Sequence, residues 1–442
     1  MVQFEEIRGL LKRHHELFEN GIPLIASENV TSPACREACA SDLSHRYAEG
    51  WVGQRVYAGC EFLDEIERIC IDLAKEYFRC SFADVRPVSG VVANLTMFSA
   101  LTSPKGKMCA MSIPSGGHIS HAPRFAKSGR EIFGTAGTVR GLEIEYLKLD
   151  WDEMNLDVDA SAKVIREFKP ELVLFGASVI LFPHPVKELA EVAREVGARV
   201  GYDAAHVAGL VGSGYFQDPL AEGAEVMTCS THKTLPGPQH GAVLSNADEE
   251  TVELLCSCAF PALLSNHHLH NVAGLAVTLA EMLQFGREYH AQVIKNAKRL
   301  AQALHERGFD VLMGHKGFTE SHQVLVEVAN FQDTVGLGGD IEQLLERAGI
   351  IVNRNLLPWD IVKYKRHYMN PGGLRLGTSE VTRLGMREAE MDQVAEFMKR
   401  VVVNQEDPLA VRKDVREFRK NFQTVHFAFP SSTKAYEYLQ LA

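Results

Sequence analysis

Short apolar runs alternate with amphipathic helical patterns in the first half of this 442-residue chain, and this alternation restricts the fold more than any other feature. The apolar runs occupy residues 107–113, 171–175, 199–202 and 225–229. Residues 186–196, between two of these runs, show the spacing of an amphipathic helix. Buried strands that alternate with helices predict a mostly parallel sheet covered on both faces, with ligands bound outside the carboxyl ends of its strands.

Helical and strand patterns also continue beyond the sheet region. Helical spacing is found at 61–79, 268–307, 341–348, 381–403 and 408–421, and strand patterns at 323–329 and 374–377. The apolar positions of the first of these helices are Phe62, Ile66, Ile69, Leu73 and Tyr77. A chain of this length favours two domains. We expect an α/β protein with an N-terminal arm at 1–25, a large domain at 26–285 and a small C-terminal α+β domain at 286–442.

Composition excludes several classes of function. The net charge of −11 argues against a nucleic-acid footprint, which would be basic. No apolar run is long enough to span a bilayer, and residues 1–20 mix charged and apolar side chains instead of forming a secretory signal. The nine cysteines contain no CxxC pair, so we expect reduced thiols in a cytoplasmic protein, with Cys229 buried in a strand.

The segment Cys229-Ser-Thr-His-Lys-Thr-Leu-Pro-Gly-Pro-Gln-His-Gly241 carries the most informative chemistry. An isolated lysine such as Lys233 is usually a solvated loop residue. Here, however, an apolar strand that ends on Asp203 lies about thirty residues upstream. A lysine and an acid that follow two buried strands suit pyridoxal phosphate, because the amine forms a Schiff base and the carboxylate keeps the pyridine nitrogen protonated.

Three further fragments fit a cofactor with a phosphate and a ring, and an amino-acid substrate. Ser89-Gly90 precedes a helical run and can dock a phosphate, although such a pair is usually only a cap. His118 follows two glycines and can lie on a ring, although a loop histidine is more often structural. Arg375, in a short strand, can bind a carboxylate through two hydrogen bonds, and the alternative is a surface salt bridge.

Together these motifs resemble serine hydroxymethyltransferases, which are fold-type I pyridoxal-phosphate enzymes. The matching motifs are Ile25-Ala-Ser-Glu-Asn29, Arg46-Tyr-Ala-Glu-Gly50, Tyr57-Ala-Gly-Cys-Glu61, Asp203-Ala-Ala-His-Val-Ala-Gly-Leu210, Thr231-His-Lys-Thr-Leu235 and Arg375-Leu-Gly-Thr378. The resemblance covers nearly the whole chain. It implies a mostly parallel seven-stranded sheet in the large domain and a cytoplasmic homodimer, or a dimer of dimers, with shared active sites.

The resemblance also implies roles for residues around the cofactor. Lys233 would form the covalent bond to pyridoxal phosphate, and Asp203 would pair with its pyridine nitrogen. His118 would stack on the ring, and Ser89 and Gly90 would bind the phosphate.

Four more residues would complete that site. Ser178 and His206 would contact the phenolic oxygen of the ring or the substrate, and His232 would lie beside the cofactor. Tyr47 would reach towards the phosphate from a partner subunit.

The substrate would be a small β-hydroxy amino acid. Arg375 would bind its carboxylate with help from Ser27, and Tyr57 of a partner would approach its side chain. Glu49 would exchange the β-hydroxyl proton as the Cα–Cβ bond breaks or forms. Serine and glycine, with tetrahydrofolate as the one-carbon acceptor, are the default pair.

Departures from the family pattern leave the acceptor open. Val56 replaces the first of two adjacent tyrosines, Val91 replaces a phosphate-binding hydroxyl, and the Lys233 motif continues Gly-Pro-Gln-His-Gly. The loop Pro-Gly-x-Gln-Gly-Gly-Pro has become Pro261-Ala-Leu-Leu-Ser-Asn-His-His-Leu-His270. Similar features occur in threonine transaldolases, which act without folate. A folate-independent aldolase, a β-eliminating or decarboxylating enzyme, and a catalytically silent scaffold are therefore the alternatives.

A metal site is not expected. His267, His268 and His270 are close in sequence, but no acidic or cysteine partner lies at a useful spacing.

Overall fold

The computed structural model describes residues 2–125, 131–132 and 134–440. The chain forms two compact units, Ala34–His290 and Met1–Pro33 with Ala291–Ala442. The N-terminal segment thus belongs to the same unit as the C-terminal part, and the division near residue 290 falls within the helix Leu269–Glu306. The domain boundaries expected at 25/26 and 285/286 stay predictions.

A seven-stranded sheet forms the centre of Ala34–His290. Its strands, in spatial order, are Phe82–Asp84, Gly241–Ser245, Val226–Ser230, Arg199–Asp203, Leu172–Phe175, Lys107–Ala110 and Glu143–Tyr146. Gly241–Ser245 is antiparallel to both of its neighbours, whereas the other neighbouring pairs are parallel. The prediction of a mostly parallel sheet is therefore confirmed, and the four apolar runs are strands within it.

Helices connect these strands and cover the sheet. The helices of this unit are Pro33–Cys39, Glu61–Phe78, Gly90–Leu101, Thr135–Arg140, Val158–Phe168, Val186–Glu195, Ala208–Gly212 and Glu249–Ser257. The helix Pro33–Cys39 begins one residue before the unit. The helix Leu269–Glu306 begins within the unit and continues beyond its last residue, His290. Met97 and Phe98 of the helix Gly90–Leu101 pack in one apolar core with Leu172 and Val226 of the central strands. This packing sets the start of that helix beside the sheet.

The second unit contains a four-stranded antiparallel sheet. Its strands, in spatial order, are Asp310–Val311, Gln323–Glu327, Gly373–Gly377 and Asn353–Asn355. Its helices are Val2–Asn20, Gly338–Arg347, Pro358–Val362, Ser379–Arg383, Glu388–Val402 and Pro408–Arg419. The N-terminal segment joins it because Ile22–Pro23 pairs with Ile350–Ile351 and because the buried Arg419 donates to the Gly21 carbonyl at 2.5 Å. This unit thus combines helices with an antiparallel sheet.

One helical prediction was wrong in detail. The helix expected at 381–403 is divided into two, because Gly385 has a φ of +91° and Glu390 caps a new helix by accepting from the Arg387 amide at 2.8 Å. The helix expected at 61–79 is confirmed as Glu61–Phe78. Of its apolar positions, Tyr77 is buried, whereas Phe62 is 75% exposed and Ile69 46% exposed.

The cysteines and the helices agree with two of the expectations from composition. All nine cysteines are free thiols, and Cys229 is buried in the strand Val226–Ser230, where burial raises the pKa of its thiol to about 12. Within the described parts of the chain, no helix combines the length and the apolar character that crossing a membrane requires.

Glu380 generates a pH-dependent prediction for the small unit. Burial raises the pKa of Glu380 to about 7, and its Oε1 accepts from the Tyr436 hydroxyl at 2.6 Å. Between about pH 4.5 and 7 the unfolded chain loses this proton while the folded chain keeps it, so folding stability falls as the pH rises. Over that pH range we expect the free energy of unfolding of the natural chain to fall by about 3 kcal/mol, and we expect Glu380→Gln to abolish this fall.

The measurement is the free energy of chemical unfolding at pH 5 and at pH 8. Glu380→Gln should be more stable than the natural chain at pH 8 and similar to it at pH 5. The exposed Glu437→Gln is the control and should follow the natural chain at both values. A Glu380→Gln variant with the same pH dependence as the natural chain would contradict the prediction.

Candidate active site

Asp203 is the last residue of the strand Arg199–Asp203, and its carboxylate is buried at the carboxyl end of the sheet. Its Oδ2 accepts from His121 Nε2 and from Asn94 Nδ2, each at 2.8 Å, and its Oδ1 accepts from the Ala205 amide at 2.9 Å. Burial alone would raise the pKa of Asp203, but the hydrogen bond and charge of His121 outweigh it and hold the pKa well below its usual range. Asp203 is therefore a fixed negative charge at neutral pH.

Asn94 links this carboxylate to the neighbouring strand. It lies in the helix Gly90–Leu101, and its Oδ1 accepts from the Thr228 hydroxyl at 2.5 Å. Its Nδ2 also donates to Ser120 Oγ at 3.1 Å. Asn94 thus uses both ends of its amide to join the helix, the sheet and the 118–121 loop around Asp203.

The loop that carries His118 is tightly folded. Its Ser112–Gly117 turn requires glycines, since a Cβ on Gly117 would lie 2.2 Å from the Met111 carbonyl and Gly116 has a φ of +100°. The Ser178 amide donates to the Gly116 carbonyl at 2.7 Å, which brings Ser178 beside this loop. His118 Nδ1 lies 2.7 Å from Ser120 Oγ, and its ring centroid lies 5.7 Å from that of His121.

Ser89 and Gly90 form the start of the helix Gly90–Leu101. Ser89 is the N-cap, and its Oγ accepts from the Val92 amide at 3.2 Å. A Cβ on Gly90 would lie 2.5 Å from Ser230 Oγ, and one on Gly241 would lie 2.4 Å from the Ser89 carbonyl. The helix N-terminus is therefore enclosed by the ends of two strands, where its N–H groups and positive dipole favour an anion.

Lys233 lies in the buried turn between the strands Val226–Ser230 and Gly241–Ser245. The next residue anchors the turn: Thr234 Oγ1 donates to the His206 carbonyl at 2.9 Å and accepts from the Gly209 amide at 3.1 Å. The Thr234 carbonyl accepts from His290 Nε2 at 3.0 Å. These bonds join the turn to the segment that follows Asp203.

His232 stays neutral beside the lysine. Burial, with a smaller contribution from the charge of Lys233, lowers the pKa of His232 to about 4. A neutral imidazole adds no positive charge next to the amine of Lys233.

Tyr47, Glu49 and Tyr57 form a second cluster in this unit. The rings of Tyr47 and Tyr57 lie 4.8 Å apart, and both side chains are nearly half exposed. Ser265 Oγ lies 3.1 Å from the Tyr47 hydroxyl and 3.3 Å from Glu49 Oε1. The contacts of this cluster are with the 265–266 loop, not with the Asp203 carboxylate.

Arg375 and Ser27 belong to the other unit. Arg375 lies in the strand Gly373–Gly377, where burial lowers the pKa of its guanidinium to about 10, so it stays charged at neutral pH. Its Nη2 donates to Asn353 Oδ1 at 3.4 Å. Gly377 allows the N-terminal segment to approach this strand, since a Cβ there would lie 2.4 Å from Cα of Ala26, the residue before Ser27.

Asn94 and His121 were assigned no role from the sequence. The signal was present, because Asn94 is a polar residue in a mostly apolar helical run and His121 lies three residues after His118. His267 also has a partner that spacing in the sequence does not reveal. His267 Nε2 lies 2.8 Å from the carboxylate of Glu67, an acidic partner 200 residues away in the chain.

A second group of residues with side chains of the kind that bind metals, other than the histidines at 267–270, lies around Asp203. Ligand atoms of His118, His121 and Asp203 lie within 4.8 Å of one another. His121 Nε2 already donates to Asp203, which explains this proximity without an ion. The expectation of no metal site stays a prediction.

Comparison with known proteins decides the family. A sequence model described as serine hydroxymethyltransferase matches residues 2–398. The chain belongs to the serine hydroxymethyltransferase family. Among its relatives, proteins named serine hydroxymethyltransferase from Korarchaeum cryptofilum and Nitrosopumilus maritimus are 56% and 52% identical, over 98% and 99% of this chain and 99% and 98% of theirs. One from Methanocaldococcus jannaschii is 52% identical over 96% of this chain and 95% of its own.

Membership of the serine hydroxymethyltransferase family confirms the resemblance and the fold-type I architecture that it implied. The departures at Val56, Val91, 237–241 and 261–267 therefore occur within this family and do not remove the chain from it.

Asn94 generates a prediction for the site. Asn94→Ala removes one of the two side-chain donors to the Asp203 carboxylate, and a hydrogen bond to a charged group contributes about 1.5–3 kcal/mol. If pyridoxal phosphate binds beside Asp203, its dissociation constant should rise at least about ten-fold, measured by spectroscopic titration of the cofactor-free protein. Ser99→Ala, in the same helix, should leave that constant unchanged. Equal constants for Asn94→Ala and the natural chain would contradict the prediction.

Proposed function

We propose that the protein is a pyridoxal-phosphate-dependent transferase that interconverts serine and glycine. The observation that carries the proposal is the ionised, buried Asp203 carboxylate at the carboxyl ends of the parallel strands. A permanent negative charge there is what a protonated pyridine nitrogen requires, because pairing stabilises the protonated form of the ring. The family relationship supports the same proposal independently.

The residues present fit the cofactor. The enclosed helix N-terminus at Ser89–Gly90 suits a phosphate, and the glycines at 90 and 241 leave space that a Cβ would fill. Lys233 supplies a buried amine for the covalent link, and His118 a flat ring beside the Asp203 network. His206, His232 and Ser178 are assigned to this site, since their backbones lie in the same turns. When bound, pyridoxal phosphate withdraws electrons from the α-carbon of an amino acid and so weakens its Cα–Cβ bond.

The chain's own residues bind the substrate and move its protons. Arg375 binds the substrate carboxylate as a charged guanidinium, assisted by Ser27, and so orients the amino acid. Glu49 accepts the β-hydroxyl proton as the Cα–Cβ bond breaks and returns it in the reverse direction. Tyr57 lies against the reacting side chain, and Lys233 is the amine that the substrate's amino group replaces.

A homodimer with shared sites, or a dimer of such dimers, is part of the proposal. Exposed large apolar side chains support it: Val2, Phe4, Ile7, Leu10 and Leu11 on the first helix, and Val56, Phe62 and Ile69 in the larger unit. A subunit interface would remove such side chains from water. Tyr47, Glu49 and Tyr57 would enter the partner's site. The nine free thiols support a cytoplasmic setting.

The function is tested with the purified protein, pyridoxal phosphate and serine. We expect glycine formation that requires tetrahydrofolate, and loss of both covalent cofactor attachment and activity in Lys233→Ala. Borohydride reduction followed by peptide mapping should find the cofactor on Lys233 in the natural chain. Lys316→Ala, in the other unit, is the control and should keep the activity. Aldehyde release from threonine without any response to folate would favour the transaldolase alternative.

Shared sites are tested by mixing Lys233→Ala, which is expected to be inactive, with Glu49→Gln, which is expected to keep only a low but measurable activity. Half of the randomly assembled dimers then contain both subunits, and one of their two sites combines an intact Lys233 with an intact Glu49. We expect recovery of about a quarter of the natural activity after dissociation and reassociation of the mixture. Recovery would be absent if each subunit used its own Glu49.

A further inference from the structure

Asn266 of the 265–267 loop contacts the backbone that precedes Glu49. Asn266 Oδ1 accepts from the Ala48 amide at 3.0 Å, and Asn266 Nδ2 donates to the Arg46 carbonyl at 3.2 Å. Both contacts are made by the side chain of Asn266, so they depend on the residue at this position.

The backbone around Glu49 is also bound from the opposite side. Arg55 Nη1 donates to the Ala48 carbonyl at 2.8 Å and to the Gly50 carbonyl at 2.6 Å. Gly50 has a φ of +107°, and a Cβ there would lie 2.4 Å from the Gln54 carbonyl. Arg55 therefore binds the carbonyl groups of both residues that flank Glu49.

One buried carboxylate connects these two supports. Glu67 Oε2 lies 2.8 Å from Arg55 Nη2 and 2.8 Å from His267 Nε2, and all three side chains are at most 3% exposed. Arg55 Nε also donates to Asp64 Oδ1 at 2.6 Å. Buried ion pairs of this kind restrict geometry, so the loop and Arg55 cannot shift independently.

Ser265 extends this support to the side chains. Its hydroxyl lies between the Tyr47 hydroxyl and Glu49 Oε1, at 3.1 and 3.3 Å. A carboxylate only accepts, so Ser265 donates to Glu49 and accepts from Tyr47. The three groups form one chain of hydrogen bonds directed at the Glu49 carboxylate, and each bond polarises the next.

We propose that Ser265 is a positioning residue for Glu49, which orients the carboxylate that exchanges the β-hydroxyl proton. This inference rests on the proposed function. In the step concerned, the substrate O–H bond breaks and an O–H bond forms on Glu49, while Ser265 keeps its own proton throughout. Ser265 thus acts on the rate of that transfer and not on cofactor or substrate affinity.

A double-mutant cycle tests the inference with serine as substrate and the cofactor-loaded enzyme. Ser265→Ala should lower kcat about ten-fold, with KM for serine within about two-fold of its natural value. Ser265→Thr, which keeps the hydroxyl, should retain most of the activity. In a Glu49→Gln background, Ser265→Ala should have less than a two-fold effect, because the group through which it acts is gone. The exposed Ser257→Ala is the control and should behave as the natural chain.

Three results would overturn the inference. Ser265→Ala could have no effect on kcat, could have the same effect with and without Glu49→Gln, or could weaken pyridoxal-phosphate binding in proportion to its loss of activity. Thermal unfolding of each variant identifies a folding defect, and in that case Ser265→Thr alone decides. A natural chain that forms no glycine from serine would contradict the proposed function, and this inference with it, before any variant is compared.

Discussion

The negative charge of Asp203 is the constraint on which the candidate site depends. A buried carboxylate without donors would take up a proton, but His121, Asn94 and the Ala205 amide together keep it ionised. Those donors come from the 118–121 loop, from the helix Gly90–Leu101 and from the backbone two residues after the strand ends. Their positions in turn depend on the packing of the helix Gly90–Leu101 against the sheet. The ionisation of Asp203 therefore depends on how the core of the larger unit is packed.

The backbone of the larger unit is restricted in two ways, by regular hydrogen bonding and by side-chain contacts. The Asp203 network and the Lys233 turn are buried and lie at the ends of strands, where regular hydrogen bonding already restricts the backbone. The Glu49 segment is partly exposed and has almost no regular structure, so side chains restrict it instead: Arg55 on one side and Asn266 on the other. An acid–base group on a loop needs such support, because proton transfer requires a fixed geometry.

Much of the fold could be predicted because the buried strands are continuous apolar runs. Residues 107–113, 171–175, 199–202 and 225–229 all contain strands of the seven-stranded sheet, and their helical connections follow from spacing. The prediction of one helix at 381–403 was wrong because Gly385, with a positive φ, interrupts the helix although the apolar pattern continues on both sides of it. The helix at 61–79 was predicted correctly, but helical spacing alone does not identify which of its apolar side chains are exposed, as Phe62 is.

The sequence by itself determined the family and the mostly parallel sheet, because these depend on residue type, order and local periodicity, and it predicted which side chains would react. Only the tertiary structure decided which polar groups surround them. That Asn94 and His121 donate to Asp203, that His267 meets Glu67, and that Ser265 lies between Tyr47 and Glu49 are contacts between residues from 82 to 218 positions apart. The physical reason is that a hydrogen bond depends on distance and direction in space, and sequence spacing carries neither across such separations.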